Sequence, residues 1–283
     1  MSHPTDSRLT HSQLYLQRLG YASPPPPTLE TLQALQLRHV CTFAFESLST
    51  LLHRPVPIDL PSVEQKILLD GRGGYCYELN QMFLALLQEL GFDARGITGR
   101  VVLGGPADAH TARTHRLSLV TLEGVRYITD VGFGGMVPSS PLQLDTQAQQ
   151  ATAHEPYRLT FDGQGSYTLW VLVAGEWRGL YVFDLQVQAA IDYEIGNWYV
   201  STHPDSVFLG QLKAARLAPG KRYTLANAHY AVHSLDGPSE KRVIDSADEL
   251  LALLQETFGI HLPTDPKLRE ALSGLIMANT AEP

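Results

Sequence analysis

The sequence predicts an α+β fold, with helices in the first third, antiparallel strands in the middle and a mixed segment at the end. Three observations carry this expectation. Apolar residues recur at helical spacing as far as Gly91; beyond it, short runs rich in β-branched and aromatic residues take over; and strands and helices do not alternate as a parallel sheet requires.

The helical third opens with Leu14, Leu16, Leu19 and Tyr21, interrupted by Gly20 and closed by the prolines Pro24 to Pro27. Thr28 is placed to cap the next helix, which carries Leu29, Leu32, Ala34 and Leu35. Ser62 and Gln65 form a capping-box pattern ahead of Val63, Ile67 and Leu68. A third stripe runs through Leu79, Met82, Phe83, Leu86, Leu87 and Leu90, and Gly91 stops it. Strands are expected at 97–103, 115–122, 125–131, 157–161, 167–173 and 176–183, with Glu123-Gly124 and Ala174-Gly175 as hairpin turns. Past Asn197 we expect a helical stretch near 207–217, strand structure around 223–235, and a last helix. Ser246 and Glu249 form its capping box, Leu250, Leu253, Leu254 and Phe258 its stripe, and Gly259 its stop. The last dozen residues are expected to fray.

Composition narrows the function. At roughly 150 residues per domain, 283 residues suggest about two domains or one multi-lobed unit. Hydrophobic content of 44% against 18% charged supports a buried core and excludes a disordered chain. No apolar run is longer than Leu169–Ala174, far short of the ~20 residues that span a bilayer, so no membrane partner is expected. Met1 to Asp6 lack a basic stretch followed by an apolar one, so no secretory leader is expected and the cytoplasm is the expected compartment. The formal charge of −8, without a basic block, argues against general nucleic-acid binding. Two cysteines, Cys41 and Cys76, make neither a disulfide framework nor a four-cysteine zinc site, and no metal is expected.

The chemistry concentrates in Gly71-Arg72-Gly73-Gly74-Tyr75-Cys76-Tyr77-Glu78-Leu79-Asn80. Three glycines lead into the apolar helix, so Cys76 falls at a helix N-terminus, where free N–H groups and the dipole favour a thiolate. The competing reading is a buried structural cysteine at a glycine-rich turn. The segment is no phosphate loop, because the lysine of that motif is missing.

A nucleophilic cysteine needs a base, and the base an orienting group. If Glu123-Gly124 is a two-residue turn, Leu122 faces Val125, Leu119 faces Ile128 and Leu117 faces Asp130. Alternation then puts His115 on the face of Asp130 as its diagonal neighbour, roughly 7–8 Å away by Cα. A slip of one residue would part them. Phe133, between glycines in Val131-Gly132-Phe133-Gly134-Gly135, could wall an aryl pocket or be an ordinary core residue.

These residues carry a resemblance. The Arg72–Asn80 stretch, the Thr114-His115 pair and Asp130–Gly135, in that order and with gaps of 39 and 15 residues between Cys76, His115 and Asp130, are similar to the arylamine N-acetyltransferase family. The start Tyr15–Gly20, the stretch from His39 to Leu48 and the stretch from Asn197 to Phe208 also match. One segment departs: Ala44-Phe45-Glu46-Ser47 stands where the family usually has Pro-Phe-Glu-Asn.

The resemblance implies a helical bundle over 1–91 carrying the nucleophile, an antiparallel β-barrel-like domain over 92–197 carrying His115 and Asp130, and an α/β lid over 198–283, around a Cys-His-Asp core like that of cysteine proteases. It implies ping-pong acetyl transfer from acetyl-CoA, through acetyl-Cys76, to an arylamine, aryl hydrazine or N-hydroxyarylamine. His115 would be the base and Asp130 its orienting group. Phe45 and Phe133 would wall the aryl pocket, and Glu46 and Arg72 would brace the Cys76 turn. Two other classes stay open: a cysteine hydrolase of the papain or transglutaminase kind, and a non-catalytic binder of CoA or aryl compounds.

Overall fold

The computed structural model describes residues 8–235 and 237–281, so the N-terminal leader reading lies outside the described residues. The fold is α+β. Helices α1 (Ser12–Arg18), α2 (Leu29–Thr42), α3 (Leu48–Leu51), α4 (Leu60–Glu64) and α5 (Cys76–Glu89) gather in the first third. Thr28 Oγ1 accepts from the Thr31 N–H and caps α2. The start of α4 corrects the expected cap. Asp59, not Ser62, is the N-cap, accepting from the Ser62 N–H at 3.0 Å. Pro61 fits the first turn because it has no N–H to satisfy there.

A seven-stranded antiparallel sheet follows, curled into a nearly closed barrel-like form in the order β5-β4-β3-β2-β8-β7-β6. Its strands are β2 (Asp93–Val101), β3 (His115–Leu122), β4 (Val125–Thr129), β5 (Leu142–Gln143), β6 (Tyr157–Phe161), β7 (Ser166–Val173) and β8 (Glu176–Asp184). Glu123 and Gly124 both have positive φ, as do Ala174 and Gly175, the backbone of two-residue turns whose twist matches the strands they join. The β3–β4 register pairs Leu122 with Val125 and Leu119 with Ile128, and the ladder ends at Ser118 and Thr129. Asp130 is thus the first residue beyond the strand.

The chain then differs from the expectation. Helix α6 (Ala190–Thr202) buries Tyr193, Gly196 and Val200 but carries Ile191, Ile195 and Trp198 in solvent, so apolar residues on both faces blur its inward stripe. The helix expected near 207–217 is a turn followed by strand β9 (Lys213–Ala218), held by antiparallel pairing to β10 (Lys221–Ala226). The strand structure expected around 223–235 resolves into β10 and β11 (His229–Ser234), with β12 (Glu240–Val243) beyond. These make a second sheet whose far edge is β1 (Phe45–Glu46), from the helical third. Helix α7 (Ala247–Ala252), capped by Ser246, continues through a wider turn to Thr257, and α8 (Leu268–Ala281) occupies the segment expected to fray.

Each of the three regions has its own buried core, and the cores converge. Cys76, Phe45 and Val131 belong to the helical core, Ala44 and Leu48 to the C-terminal one, and Phe133 packs on both the helical and the barrel cores. We propose 1–91, 92–197 and 198–283 as the domain division; α6 begins before its second boundary, and β1 pairs across the division with β9.

Candidate active site

Cys76 is the first residue of α5, where the helix leaves its N–H without an intrahelical acceptor. The turn before it is braced from below. Glu46 N–H donates to Gly74 O at 2.9 Å and Gly74 N–H to Ala44 O at 3.2 Å, so the glycine segment runs alongside β1 as a parallel bridge. The approach is too close for a side chain: a Cβ on Gly73 would lie 2.2 Å from Ala44 O. Arg72 donates to Glu46 Oε1 through Nε and Nη2, at 3.0 and 2.7 Å. Glu46 Oε2 accepts from the Leu48 N–H, and Lys66 joins Glu78 at 2.6 Å. Glu78 in turn accepts from the Tyr75 N–H at 3.0 Å and satisfies the helix start. Burial would raise the Glu46 carboxyl, but Lys66, Arg72 and the Leu48 N–H outweigh it and hold it below the usual range.

His115, at the start of β3, and Asp130, just past β4, meet at 2.7 Å between Nε2 and Oδ2, with 2% and 0% of their side chains exposed. Bonding Nε2 to the carboxylate leaves Nδ1 for the thiol. Burial alone would push the imidazole down; the Asp130 carboxylate and the adjacent Cys76 sulfur reverse this and raise it to about 10. Asp130 is held low in the same way: burial raises it, while His115, Asn80 and the Gly132 N–H lower it. Cys76 Sγ itself lies 3.7 Å from Thr114 O.

Several members of the site carry no sequence signal strong enough to have singled them out. Asn80 lies one helical turn after Cys76. Its Nδ2 donates to Asp130 Oδ1 at 3.0 Å and Arg116 O at 2.7 Å, and its Oδ1 accepts from the Val131 N–H at 3.0 Å. The spacing of four from Cys76 is the signal that could have found it. Gln36, on α2, donates to Asp130 O and Pro138 O, a pairing across 94 residues for the first that no local pattern reveals. Tyr181 lies against the His115 ring with centroids 4.7 Å apart. Gly132 is required by contact: a Cβ there would sit 2.7 Å from Cys76 Cα and 2.8 Å from Asn80 Nδ2.

These groups face a cavity of about 470 Å³ lined by Cys76, His115, Phe45, Phe133, Phe208 and Lys213 among others. Phe133 meets His115 edge-on at 5.0 Å, and Phe45 and Phe208 lie 6.0 Å apart. His203 stands by the rim, stacked on Tyr199 at 4.4 Å. Cys41 is half-buried beyond the cavity, and burial raises its thiol despite the nearby Arg216. Asp108 and His110 are exposed. Ser47 ties α3 to the start of β9 by accepting from the Lys213 N–H and donating to Gln211 O. No group of three His, Cys, Asp or Glu side chains is arranged for a metal among the described residues, and no helix there is long and apolar enough to cross a membrane.

The His115–Asp130 pair sets a pH window for stability. An imidazole raised on folding contributes fully below about pH 6.5, its unfolded value, and its contribution is lost as pH climbs toward 10. Asp130, depressed on folding, contributes above about pH 3.8 and loses that contribution as pH falls. The expected result is a melting temperature that declines more steeply between pH 6.5 and 10 in the wild type than in His115→Gln. Parallel declines by differential scanning fluorimetry would refute the pairing.

Three buried cores meet at one cavity that Cys76 lines, and the N-acetyltransferase family model matches residues 28–266 of this chain. The arylamine N-acetyltransferase of Escherichia coli K12 is 39% identical over 250 residues, covering 87% of each chain. The arylamine N-acetyltransferase / N-hydroxyarylamine O-acetyltransferase of Salmonella typhimurium LT2 is 38% identical, covering 88% of this chain and 86% of its own. The structure of Mycobacterium marinum arylamine N-acetyltransferase in complex with CoA superposes with a TM-score of 0.87 at 38% identity, over 92% of this chain and 98% of that one. The chain belongs to the arylamine N-acetyltransferase family.

Proposed function

We propose that the protein transfers acetyl groups from acetyl-CoA to arylamines, aryl hydrazines or N-hydroxyarylamines by a ping-pong cycle through acetyl-Cys76. The observation that carries this reading is the buried His115–Asp130 pair set against a thiol that opens on an apolar cavity. The CoA bound by the Mycobacterium marinum relative supports the donor, and the two activities for which the Salmonella relative is named support both N- and O-acetylation.

In the first half-reaction the Cys76 sulfur attacks the thioester carbonyl and the CoA sulfur leaves. His115 holds the proton taken from Cys76 and gives it to the departing CoA thiolate. The Cys76 N–H is placed to donate to the oxyanion. In the second half-reaction the amine attacks acetyl-Cys76, the sulfur leaves, and His115 removes the extra amine proton. Asp130 fixes the ring so that Nδ1 faces the sulfur throughout. Glu46 and Arg72 act at one remove, by holding the glycine turn beneath Cys76.

Incubation with acetyl-CoA alone should add about 42 Da to Cys76, one acetyl in place of a proton, readable by intact mass. An unmodified thiol with intact acetyl-CoA would defeat the reading. Steady release of acetate without an acceptor, at the rate seen with one, would favour the hydrolase.

Phe133 gives a sharper test of the pocket. Its ring edge contributes about 0.5–1.5 kcal/mol to an aryl acceptor beyond area burial. Phe133→Leu should lose several-fold in kcat/KM for arylamines, while single-turnover acetylation of Cys76 changes less than about twofold. Equal losses would assign Phe133 to supporting His115, which it also touches.

A further inference from the structure

Arg116 is a buried cation without a counter-ion. It follows His115 on β3, and its side chain is turned to the opposite face of the strand, where Val120 joins the helical core. It is 5% exposed, and its guanidinium lies 4.0 Å over the ring of Tyr193 on α6. Among the described residues it makes no ion pair, and its Nε has no hydrogen-bond partner. Thr98, paired opposite it on β2, leaves its hydroxyl unpartnered as well. The carboxylates on neighbouring segments are engaged elsewhere: Asp184 holds Arg113, and Asp192 accepts from the Ala189 N–H at the start of α6.

A charge held out of water in this way costs the fold stability. Burial lowers the guanidinium to about 10, which leaves it protonated at neutral pH. Three groups that carry negative charge when deprotonated act on it: Tyr193, Tyr77 and Cys76. Burial raises both phenols, so neither ionises near neutral pH. Cys76 is the one that the chemistry itself makes negative. The fold also fixes β3 against the start of α5. Tyr77, next to Cys76, donates from its hydroxyl to Arg113 O at 3.3 Å, and Asn80, one turn further on, donates to Arg116 O at 2.7 Å.

We propose that Arg116 is a positioning residue whose buried charge stabilises the negative sulfur of Cys76, from the face of β3 opposite to His115. His115, paired with Asp130, takes the proton; Arg116 takes none and supplies a fixed positive field. The role rests on the acetyl-transfer reading, in which Cys76 is the nucleophile, but alkylation reads the sulfur without any transfer.

Arg116→Met keeps an unbranched apolar chain and removes the charge. Iodoacetamide alkylation of Cys76 at neutral pH should slow about tenfold in it, with the midpoint of the pH profile about one unit higher. Arg116→Lys should keep most of the wild-type rate. The melting temperature of Arg116→Met should hold or rise, because an unpaired charge leaves the interior. Wild-type alkylation in Arg116→Met would overturn the proposal, whatever its stability. So would equal slowing in Arg116→Met and Arg116→Lys, which would make Arg116 a packing residue against Tyr193. If Arg116→Met does not fold, Arg116→Gln, neutral and able to bond the Thr98 hydroxyl, repeats the comparison with the same two outcomes. Acetyl-CoA with intact mass tests the acetyl-transfer reading separately. Arg116-dependent alkylation without a mass gain would keep the field and remove the transfer; a mass gain with Arg116-independent alkylation would keep the transfer and remove the field.

Discussion

Cys76→Ala is expected to reduce acetyl transfer to the uncatalysed background, with the protein still folded. In the proposed cycle the sulfur is both the attacking atom and the group that carries the acetyl between the two half-reactions, and no neighbour can take over both tasks. Cys41, the second thiol, is half-buried, and its thiol is raised by burial. The alanine costs little in stability. It leaves the α5 start, the Glu78–Tyr75 bond and the Glu46–Arg72 pair untouched, so a loss within about 1 kcal/mol is expected. Thiol release from acetyl-CoA, intact mass and circular dichroism test this together. More than a few per cent of residual activity would sink the assignment, and a dead but folded Cys41→Ala would show that the wrong sulfur had been chosen.

Asp130→Asn should cost roughly 10³–10⁴ in turnover, and the geometry says why. Oδ1 of Asp130 faces two donors, Asn80 Nδ2 at 3.0 Å and the Gly132 N–H at 2.9 Å. An asparagine must keep its oxygen on that side, because an NH₂ there would oppose both donors. Its NH₂ then faces His115 Nε2 and donates to it. The ring is driven into the tautomer that carries its proton on Nδ1, the nitrogen turned to the sulfur, and can no longer accept the thiol proton. The carboxylate charge that keeps an imidazolium in a dry site goes as well. Iodoacetamide alkylation of Cys76 at neutral pH should slow along with acetyl transfer. Wild-type alkylation beside lost transfer would place the role of Asp130 after thiol activation.

What local chemistry specifies was legible. The start of α5 follows from glycines meeting an apolar stripe, and the β3–β4 register follows from Glu123-Gly124, whose paired positive φ values fix Leu122 opposite Val125. That register brings His115 and Asp130 within reach although Asp130 lies past the last ladder pair. What long-range packing specifies was not. Lys213 reaches the cavity only because β9 pairs with β10 and β1, and the same stretch read alone suggests a helix. Gln36 reaches the Asp130 carbonyl across the whole of the intervening bundle and barrel. Helix α6 is hidden because Ile191, Ile195 and Trp198 point to water while Tyr193 and Val200 point inward, so the one-sided stripe by which helices are recognised is blurred.

The two-residue strand β1 has a consequence for synthesis on the ribosome. It pairs on one side with the glycine turn beneath Cys76 and on the other with β9, and the adjoining Ser47–Gln211 bond joins residues 164 apart. A growing chain holds Cys76 and both partners of the β1–glycine bridge early, but lacks β9, which covers the other edge of β1, until most of the polypeptide has emerged. Chains that end before residue 213 are therefore expected to leave the far edge of β1 uncovered beside the Cys76 turn.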